Sequence, residues 1–483
     1  MPAGRSQRQI SCALLLAALC ILFACQSAIA SKSYTGRRIS ASSQRKAGSY
    51  RADLVSRQET CEKPHFVDWA VWEHGCVHER NVCLDQGVFI VFQDKVKPGK
   101  NYTGSQLFDT GGAFYNMPGY LDNLKGTKTA YRQPAFRTNT HRDPPDILDP
   151  VFNKCELPLI WWPWWPFNAG DFTLASAAPL HAMLQEGIID RNVKFTPVLD
   201  GFRMPEYIDW ELQPFSNFKI ETLDDISSRE RSGARCWENM LLCKPHGLWN
   251  RRPDWMKQAW HHFLKFGDFG QQVVEYYRKH LPVIHKAETT FKVAFIERHH
   301  KRRIENYNDL LAWCNTKLEL PAGSRFTEVD CVPLNLDHAD RYLQTLAEMQ
   351  TVDVLVGSHG AGLINHMFMR KGTAFIEIVP CGFDGEFHDD SFQVPARVQN
   401  FQFGFKLTIV SPMLCSRSEA ELGDPDVLSR EDWVRGSFLR DQDVTVDTNS
   451  LADLFQRILS LNGSAEAFIN ATAARPDFAV LRQ

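Results

Sequence analysis

The chain has little of what marks a nucleic-acid-binding or multi-spanning membrane protein. Its 54 Lys and Arg stand against 57 Asp and Glu, a formal net charge of −3, so no basic excess predicts binding to nucleic acid. Beyond residue 30, no apolar run reaches the roughly 20 residues that span a bilayer. Internal repeats and long low-complexity tracts are also missing. We therefore expect a globular protein with no nucleic-acid partner.

The first 30 residues have the composition of a secretory targeting segment. Arg5 and Arg8 precede an apolar run over 12–25, and 28–30 (AIA) provides small residues at the spacing that signal peptidase cleaves. A cleaved signal peptide and an uncleaved type II signal anchor both fit, because the apolar stretch approaches the length of a membrane span. In either case the remainder is expected in the secretory lumen or outside the cell, with membrane contact only through an uncleaved anchor.

Composition divides the rest of the chain into three parts. Residues 31–60 are rich in Ser, Arg and Lys with few large apolar side chains, which predicts a disordered basic stem. The about 420 residues that follow exceed what one hydrophobic core usually organises. Because the pattern is irregular up to residue 286 and regular afterwards, we predict an N-terminal domain over 61–286 and a C-terminal domain over 287–483.

Thirteen cysteines are present, three of them in the targeting segment. The ten that remain are an even number, which predicts disulfides in an oxidising compartment, although the sequence does not assign their pairing. A zinc site of His74, Cys76, His78 and Cys83 is disfavoured, because the spacing matches no structural zinc pattern. Exposed luminal loops are predicted at three N-glycosylation sequons, which begin at Asn101, Asn462 and Asn470.

From residue 291 onward, segments with the period of strands alternate with segments of helical period. FKVAFIE, RFTEVDCVPL and VDVLVGS predict strands, and YNDLLAWC and ADRYLQTLAEMQT predict the helices between them. Such alternation predicts an α/β fold with a parallel sheet and right-handed crossovers. Ligands of these sheets bind beyond the carboxyl ends of the strands.

A glycine-rich turn follows the third of these strands, within the segment from Val352 to Pro380. The strand leads into His-Gly-Ala-Gly, then a helix expected to begin near Leu363, then another strand. Gly360 and Gly362 allow backbone N–H groups to approach an anion closely, and the helix N-terminus directs the positive end of its dipole at the same point. The segment therefore predicts a diphosphate-binding turn.

Better-known motifs do not fit this turn. Its glycines lack the G-x-G-x-x-G spacing of dinucleotide-binding folds, which disfavours a nicotinamide-dependent oxidoreductase. Leu363 and Ile364 stand where a P-loop has Lys and Ser or Thr. Gly357 directly precedes Ser358, unlike the G-x-S-x-G nucleophile elbow. A structural alternative stays open, in which the glycines only permit a tight connection and His359 is a packed residue.

A basic loop follows the strand FKVAFIE, on the side of the sheet where His359 is expected. Arg298 ends the strand, and Arg302, Arg303 and Asn306 open the next helix. Arginine suits a diphosphate because its planar, permanently charged fork binds two oxygens at once. The alternative is a solvated basic loop, the commoner fate of such charge runs.

These blocks resemble glycosyltransferase family 61 in order and spacing. The resemblance is carried by Arg298, RRIEN (302–306), HGAGLIN (359–365), Phe368, FIEIVP (375–380) and, more weakly, LRDQDVTVD (439–447) with the following LADLFQRIL. It implies a GT-B-like α/β fold, in which two Rossmann-like domains face a cleft. Residues 61–286 would then be the acceptor-side domain, and 287–483 the nucleotide-sugar-binding domain with a closing C-terminal helix.

The family includes plant xylan xylosyl- and arabinosyltransferases and protein O-GlcNAc transferases of the ER lumen. The resemblance implies an inverting enzyme that moves xylose, N-acetylglucosamine or arabinose from a UDP-sugar to a glycan or glycoprotein acceptor. The expected location is the Golgi or ER lumen, as a type II membrane protein or a soluble luminal protein. A catalytically inactive carbohydrate- or nucleotide-binding relative is the alternative.

The resemblance also implies a set of donor-binding residues, namely Arg298, Arg303, Asn306, His359, Gly360, Ala361, Gly362, Asn365 and Glu377. Arg298 and Arg303 are expected to neutralise the UDP leaving group, and His359 to donate to a phosphate oxygen, so Arg298 and His359 also count as catalytic. The 360–363 amides are expected to hold the other phosphate. Glu377 either accepts hydrogen bonds from sugar hydroxyls or only caps its strand.

The acceptor side is less well specified. Inversion needs a base for the acceptor hydroxyl, and the candidate is Asp171 of WWPWWPFNAGDF (161–172), where relatives often carry a His. A structural role for Asp171 as the N-cap of the helix FTLASAAPLHAML is the favoured alternative, and His181 in that helix is expected to be packed. Of the four tryptophans in 161–165, some are expected in the core and one or two at the acceptor cleft.

No cofactor is required by this scheme, because arginines neutralise the diphosphate, and Mn²⁺ is a compatible addition. Two D-x-D sequences, 424–426 and 441–443, have the form of a metal-binding motif. Neither directly follows an apolar strand, so both are expected in loops.

Overall fold

The computed structural model describes residues 61–73, 76–85, 87–92, 135–138, 150–161, 163, 166–199, 203–227, 235–243, 269–336, 341–383, 402–428 and 432–483. These residues fall within one compact unit. Several predicted features lie outside the described residues: the targeting segment, the stem, the Asn101 sequon and three tryptophans, Trp162, Trp164 and Trp165.

Twelve strands are present in the described residues. They are β1 (Cys76–Asp85), β2 (Val88–Val91), β3 (Ala135–Thr138), β4 (Leu157–Trp161), β5 (Val193–Pro197), β6 (Arg235–Cys243), β7 (Thr290–Ile296), β8 (Glu328–Leu334), β9 (Val354–Ser358), β10 (Thr373–Val379), β11 (Gln402–Thr408) and β12 (Val480–Arg482). The α-helices of the same ranges are α1 (Asp68–Glu73), α2 (Ala169–Phe172), α3 (Ala178–Gln185), α4 (Glu206–Leu212), α5 (Leu223–Ser227), α6 (Phe269–Tyr277), α7 (Tyr307–Lys317), α8 (Tyr342–Met349), α9 (Glu419–Leu422), α10 (Pro425–Leu428), α11 (Asp432–Arg440), α12 (Thr448–Ser460) and α13 (Ala465–Ala474).

The second half of the chain forms a parallel sheet in the spatial order β12-β11-β10-β9-β7-β8. Every residue of β9 and β10 is buried, as expected for parallel strands covered on both faces. The strands and helices predicted between residues 291 and 380 are confirmed, with ends shifted by a few residues, apart from the helix after the glycine turn. The predicted α/β class and parallel sheet are confirmed with them.

Strand order gives this sheet a topological switch point. From β7 the chain passes to β8 on one side, and then crosses back to β9 on the other side of β7. Loops that leave β7 and β9 therefore diverge to opposite faces and open a crevice at the carboxyl edge. Ligands of open α/β sheets bind in such crevices.

Helix α12 illustrates how this sheet is covered. Asp447 caps the helix, since its side chain accepts a hydrogen bond from the Ser450 amide. Leu451, Leu454 and Phe455 then recur at helical spacing and are fully buried in a cluster with residues of β7 and β11. The amphipathic helix predicted from LADLFQRIL is thus confirmed.

The first half of the chain forms a mixed sheet in the order β3-β2-β1-β6-β4-β5. β1 runs antiparallel to β2 and β6, while β4 is parallel to β5 and β6. This departs from the Rossmann-like pattern expected here. Its centre is a strand pair in which Cys76 faces Cys243 and Cys83 faces Cys236, and both pairs are disulfides.

One helical segment of the first half reaches the second sheet. Asn168 caps α2, accepting from the Gly170 and Asp171 amides, and a π-helical turn (Thr173–Ala177) joins α2 to α3. A Cβ added to Gly170 would lie 2.9 Å from Ala361 Cα, so the two backbones touch. The helix begins three residues before the predicted FTLASAAPLHAML segment, and its cap is Asn168. The N-cap role favoured for Asp171 is therefore wrong.

All ten cysteines beyond the targeting segment are paired, which confirms the predicted disulfides; the three further pairs are Cys61–Cys155, Cys314–Cys331 and Cys381–Cys415. Since Cys76 and Cys83 are disulfide-bonded, the zinc alternative is excluded. Asn462 is exposed in a turn as predicted, whereas Asn470 is exposed on α13 and not in a loop. No helix in the described ranges has both the length and the hydropathy needed to cross a membrane.

Candidate active site

Two arginines converge on the glycine turn at the switch point. Gly360 follows β9 and adopts φ 150°, which favours glycine. A Cβ placed on Gly360 would lie 2.7 Å from Arg298 Nη1 and 2.8 Å from Arg302 Nη1. Arg298 follows β7, so the loops of the two diverging strands meet here, as predicted for Arg298 and His359. The arrangement is a positively charged cradle, formed by Arg298, Arg302 and the 359–362 backbone.

The cradle continues into a 3₁₀ helix, Ala361–Phe368, instead of the α-helix expected to begin near Leu363. The Leu363 amide already donates to the Gly360 carbonyl (3.0 Å), and the His359 amide to Ile378 (2.9 Å). The first two amides of a 3₁₀ helix, here those of Ala361 and Gly362, have no partner within the helix. Those two, and not Leu363, are the amides suited to an anion.

Two other predicted donor-binding residues hold the turn in shape. Asn365 donates to the Gly362 carbonyl (2.9 Å), which fixes the start of the helix. Glu377, on β10, is fully buried, and its Oε1 lies 2.6 Å from His359 Nδ1. The contact with this carboxylate at Nδ1 fixes the orientation of the His359 ring. Glu377 therefore orients His359, whereas the sequence predicted that it would accept from sugar hydroxyls or cap the strand.

Arg302 is the more constrained of the two cradle arginines. Its Nη1 donates to the His359 carbonyl (3.1 Å), its Nε lies 3.3 Å from Asp441 Oδ1, and its backbone has φ 61°. Burial, and then the positive charges of Arg298 and Arg440, lower the pKa of Arg302 to about 10. An anion in the cradle would relieve that repulsion.

The structure separates Arg303 and Asn306 from the cradle. Arg303 binds Asp443 through Nε (2.9 Å) and Nη2 (2.6 Å), and it is half exposed. Asn306 exchanges hydrogen bonds with the backbone of Val446. The basic loop and the 439–447 segment, both seen as family-like blocks in the sequence, are thus paired with one another. Arg302 takes the place at the turn that the sequence assigned to Arg303.

Asp171 lies at the same end of the molecule. It is half-buried in the first turn of α2, directly after Gly170, which touches Ala361. Its charge acts on Arg302, raising the pKa of that arginine against the larger opposing effects. The candidate base and the cradle, predicted from distant parts of the sequence, are therefore neighbours.

The D-x-D sequences have other partners. Asp441 contacts Lys301, Arg302 and Arg440, and Asp443 contacts Arg303. Asp424 accepts from the Asp426 amide at the start of α10, so Asp426 lies on a short helix and not in a loop. Within the described ranges, no three His, Cys, Asp or Glu side chains cluster so as to hold a metal ion.

The packed residues agree with their predicted roles. His181 is fully buried in α3 between Phe215 and Phe269, as expected for a structural histidine. Trp161 is buried at the end of β4, in the core, where some of the tryptophans were expected.

Comparison with known proteins finds a family model that matches the part of the chain containing the cradle. The family model named Glycosyltransferase 61 matches residues 180–376, a range that includes Arg298, Arg302 and the glycine turn. The match to glycosyltransferase family 61 thus covers the C-terminal part of the first half of the chain and the strands that carry the cradle. The predicted resemblance is confirmed over this region, while Asp171, Glu377 and Asp441 lie outside the matched range.

One curated relative of this glycosyltransferase 61 region is the xylan glycosyltransferase MUCI21 of Arabidopsis thaliana. It is 26% identical over 131 residues, which is 26% of this chain and 26% of that protein. The chain therefore covers about a quarter of the relative's length.

Arg302 was predicted in the basic loop, but the predicted donor-binding set contains Arg303 and not Arg302. Arg302 and Arg303 are adjacent and chemically identical, so composition and spacing do not separate them. The left-handed φ of Arg302 decides which of the two faces Gly360.

Proposed function

We propose that this chain is an inverting glycosyltransferase that moves a sugar from a UDP-sugar to a glycan or glycoprotein acceptor in the secretory pathway. One observation carries the proposal: the guanidinium groups of Arg298 and Arg302 converge on Gly360 at the switch point between β7 and β9. Two fixed, permanently charged forks beside free helical amides match the charge and geometry of a diphosphate. The family match over the same residues supports a nucleotide sugar as the ligand.

The chemistry assigned to the site is a single displacement. The acceptor hydroxyl oxygen forms a bond to the anomeric carbon as the bond from that carbon to the diphosphate oxygen breaks. Arg298 and Arg302 stabilise the negative charge that develops on the UDP leaving group, and His359 donates to a phosphate oxygen. We assign Asp171 as the base that takes the hydroxyl proton, since it lies beside the cradle on a separate helix.

The donor and the setting complete the proposal. Xylose, N-acetylglucosamine and arabinose are the candidate sugars, and the relative's name, a xylan glycosyltransferase, favours a xylan-like glycan. Five disulfides favour the Golgi or ER lumen, either soluble or with an N-terminal anchor. For the architecture we propose a GT-B-like cleft between the two sheets. We propose that no metal is required, with Mn²⁺ compatible, because the arginines provide the positive charge.

Release of UDP from a panel of UDP-sugars tests this proposal. Protein made in a secretory host is incubated with UDP-xylose, UDP-arabinose and UDP-N-acetylglucosamine, with xylan or glycoprotein acceptors, in EDTA and in Mn²⁺. We expect turnover with one donor in EDTA, and its loss in Arg298→Ala and Asp171→Asn. Binding of UDP without turnover on any donor would instead support the inactive, nucleotide-binding alternative.

A further inference from the structure

The segment 439–447 is anchored by contacts other than those to the basic loop. Gln442 is 1% exposed and donates to the Cys381 carbonyl (2.8 Å), next to the Cys381–Cys415 disulfide. Asp443 donates from its amide to Ser416 Oγ (3.0 Å), and its carbonyl accepts from the Ser416 amide (2.9 Å). The Asp441 and Asp443 side chains contact the basic loop, whereas the Gln442 side chain contacts the Cys381 and Leu439 carbonyls. The backbone that carries the two carboxylates therefore has contacts besides those to the basic loop.

Three positively charged side chains contact the Asp441 carboxylate. Arg440 Nε donates to Oδ1 (2.9 Å), Arg302 Nε lies 3.3 Å from the same oxygen, and Lys301 binds Oδ2. Burial opposes ionisation of Asp441, but hydrogen bonds and charge from these cations outweigh it and hold the pKa at about 2. The carboxylate is thus charged at any physiological pH.

Arg302 has an ion pair at Nε and a hydrogen bond at Nη1. The Asp441 carboxylate lies beside its Nε, and the His359 carbonyl accepts from its Nη1 (3.1 Å). A planar guanidinium held at both ends has a defined plane and direction. The contacts also compensate for the left-handed backbone of Arg302, which is unfavourable for a residue with a Cβ.

We propose that Asp441 is a positioning residue for the diphosphate site, which holds the Arg302 guanidinium against Gly360 without touching the ligand. This inference rests on the proposed function, since it requires a diphosphate in the cradle. It also explains the D-x-D sequence at 441–443 as a pair of arginine-binding carboxylates. Asp441 forms an ion pair with Arg302 at the cradle, and Asp443 forms one with Arg303.

Whether Asp441→Asn weakens or tightens UDP binding shows whether Asp441 positions Arg302 or acts only through its charge. A carboxylate near an anion site weakens anion binding by Coulomb repulsion, so removing its charge alone would tighten binding. If Asp441 positions Arg302, Asp441→Asn weakens binding despite the gain in positive charge. Asp443→Asn is the matched control, because it removes the same charge from the same segment, and the Asp443 carboxylate contacts Arg303 and not Arg302.

The test is calorimetric titration of wild type, Asp441→Asn, Asp441→Glu and Asp443→Asn with UDP and with uridine, beside thermal unfolding of each. We expect Asp441→Asn to weaken UDP binding about tenfold. Uridine, which lacks the diphosphate, is expected to bind as before. Asp443→Asn should bind UDP no more weakly than wild type. Asp441→Glu keeps the charge but displaces it, so it should lose UDP affinity several-fold, and it carries the test if the Asn variant does not fold.

Unchanged or tighter UDP binding in the Asp441 variants would overturn the positioning role. Equal losses for UDP and uridine would also overturn it, since that pattern indicates general damage to the site. Absence of UDP binding in the folded wild type would overturn the proposed function itself, and this inference with it.

Discussion

The second sheet consists of parallel strands buried in an apolar core, whereas the first mixes strand directions and is joined at its centre by two disulfides. The parallel order produces a switch point, and both cradle arginines lie there. The first half contacts the glycine turn at Gly170, and α6 contacts the end of the 3₁₀ helix through Gly270 and Gln271. The comparison shows that the regular sheet holds the anion site, while helices of the first half pack against it.

Removal of the disulfides is expected to have the largest effect on stability, and mainly in the first sheet. The two cross-strand disulfides close nearly the same loop, so removing one leaves the other in place. Changing Cys76, Cys83, Cys236 and Cys243 together to Ala should lower the free energy of unfolding by about 4 kcal/mol, because loops of 167 and 153 residues are released. Denaturant unfolding measures this loss.

The matched control is Cys314→Ala with Cys331→Ala in the second sheet. That disulfide closes a loop of 17 residues, so its removal should cost about 2 kcal/mol less by loop-closure entropy. Equal losses in the two variants would contradict the contrast between a disulfide-bonded sheet and one held by its core.

Arg302→Ala is expected to have the largest effect on ligand binding. It removes a charge-assisted contact to the diphosphate, so UDP affinity should fall by about 2 kcal/mol. Arg303→Ala, one residue away, removes the same charge but loses only the pairing with Asp443, and its UDP affinity should change less than about twofold, as expected for an exposed ion pair. Calorimetric titration measures both. A larger loss in Arg303→Ala would place the site where the sequence alone had placed it.

Gly360→Ala is expected to weaken UDP binding about tenfold, because its Cβ would meet Arg298 Nη1 and Arg302 Nη1. Those atoms end flexible side chains, so the guanidinium groups would move and the fold would remain. Gly187→Ala is the matched control in the first half, since Gly187 has φ 68° and nothing within 4 Å of an added Cβ. It should lose stability by about 1 kcal/mol with UDP affinity intact. Loss of UDP binding in Gly187→Ala would show that backbone strain alone explains the effect.

Glu211 of α4 is expected to give the first half a pH-dependent stability. Burial raises the pKa of this carboxyl to about 8, partly opposed by its hydrogen bond to Thr173. A folded-state pKa above the ordinary value near 4.5 adds stability below that value, which is lost as the pH rises toward about 8. Between pH 6.5 and 7.5 the free energy of unfolding should fall by about 1 kcal/mol.

Glu211→Gln keeps a hydrogen-bonding side chain beside Thr173 without the ionisation. The pH dependence between 4.5 and 8 should therefore disappear in this variant, and it should be more stable than wild type at pH 8. If the free energy of unfolding changes with pH equally in the two proteins across this range, Glu211 does not titrate there.

Local periodicity was enough to predict the strands around the site and the helices between them, except the 3₁₀ helix that follows the glycine turn. FKVAFIE and VDVLVGS became β7 and β9, and the arginine loop and the glycine turn were expected at one edge because parallel strands end together. The even cysteine count likewise predicted disulfides. These features depend on the identity and spacing of residues close in sequence.

The features that the sequence did not predict depend on contacts between distant residues or on the backbone angle of a single residue. β1 and β6 pair across more than 150 residues, and no local pattern signals that register. Arg302 and Arg303 are the same residue type, and the sequence does not show that Arg302 has the left-handed backbone conformation. Asn168, and not Asp171, is the N-cap because the helix begins earlier than predicted. The role of Asp441 required the contact between 439–447 and the basic loop, which are separated by 140 residues.

The central claim is that Arg298 and Arg302 at the switch point form a site for a nucleoside diphosphate. Titration of the folded protein with UDP in EDTA, beside Arg298→Ala and with NAD as the competing ligand, tests it most directly. We predict saturable binding of one UDP per chain that is lost in Arg298→Ala, with no binding of NAD. Failure of wild type to bind UDP, or equal binding by wild type and Arg298→Ala, would contradict the claim.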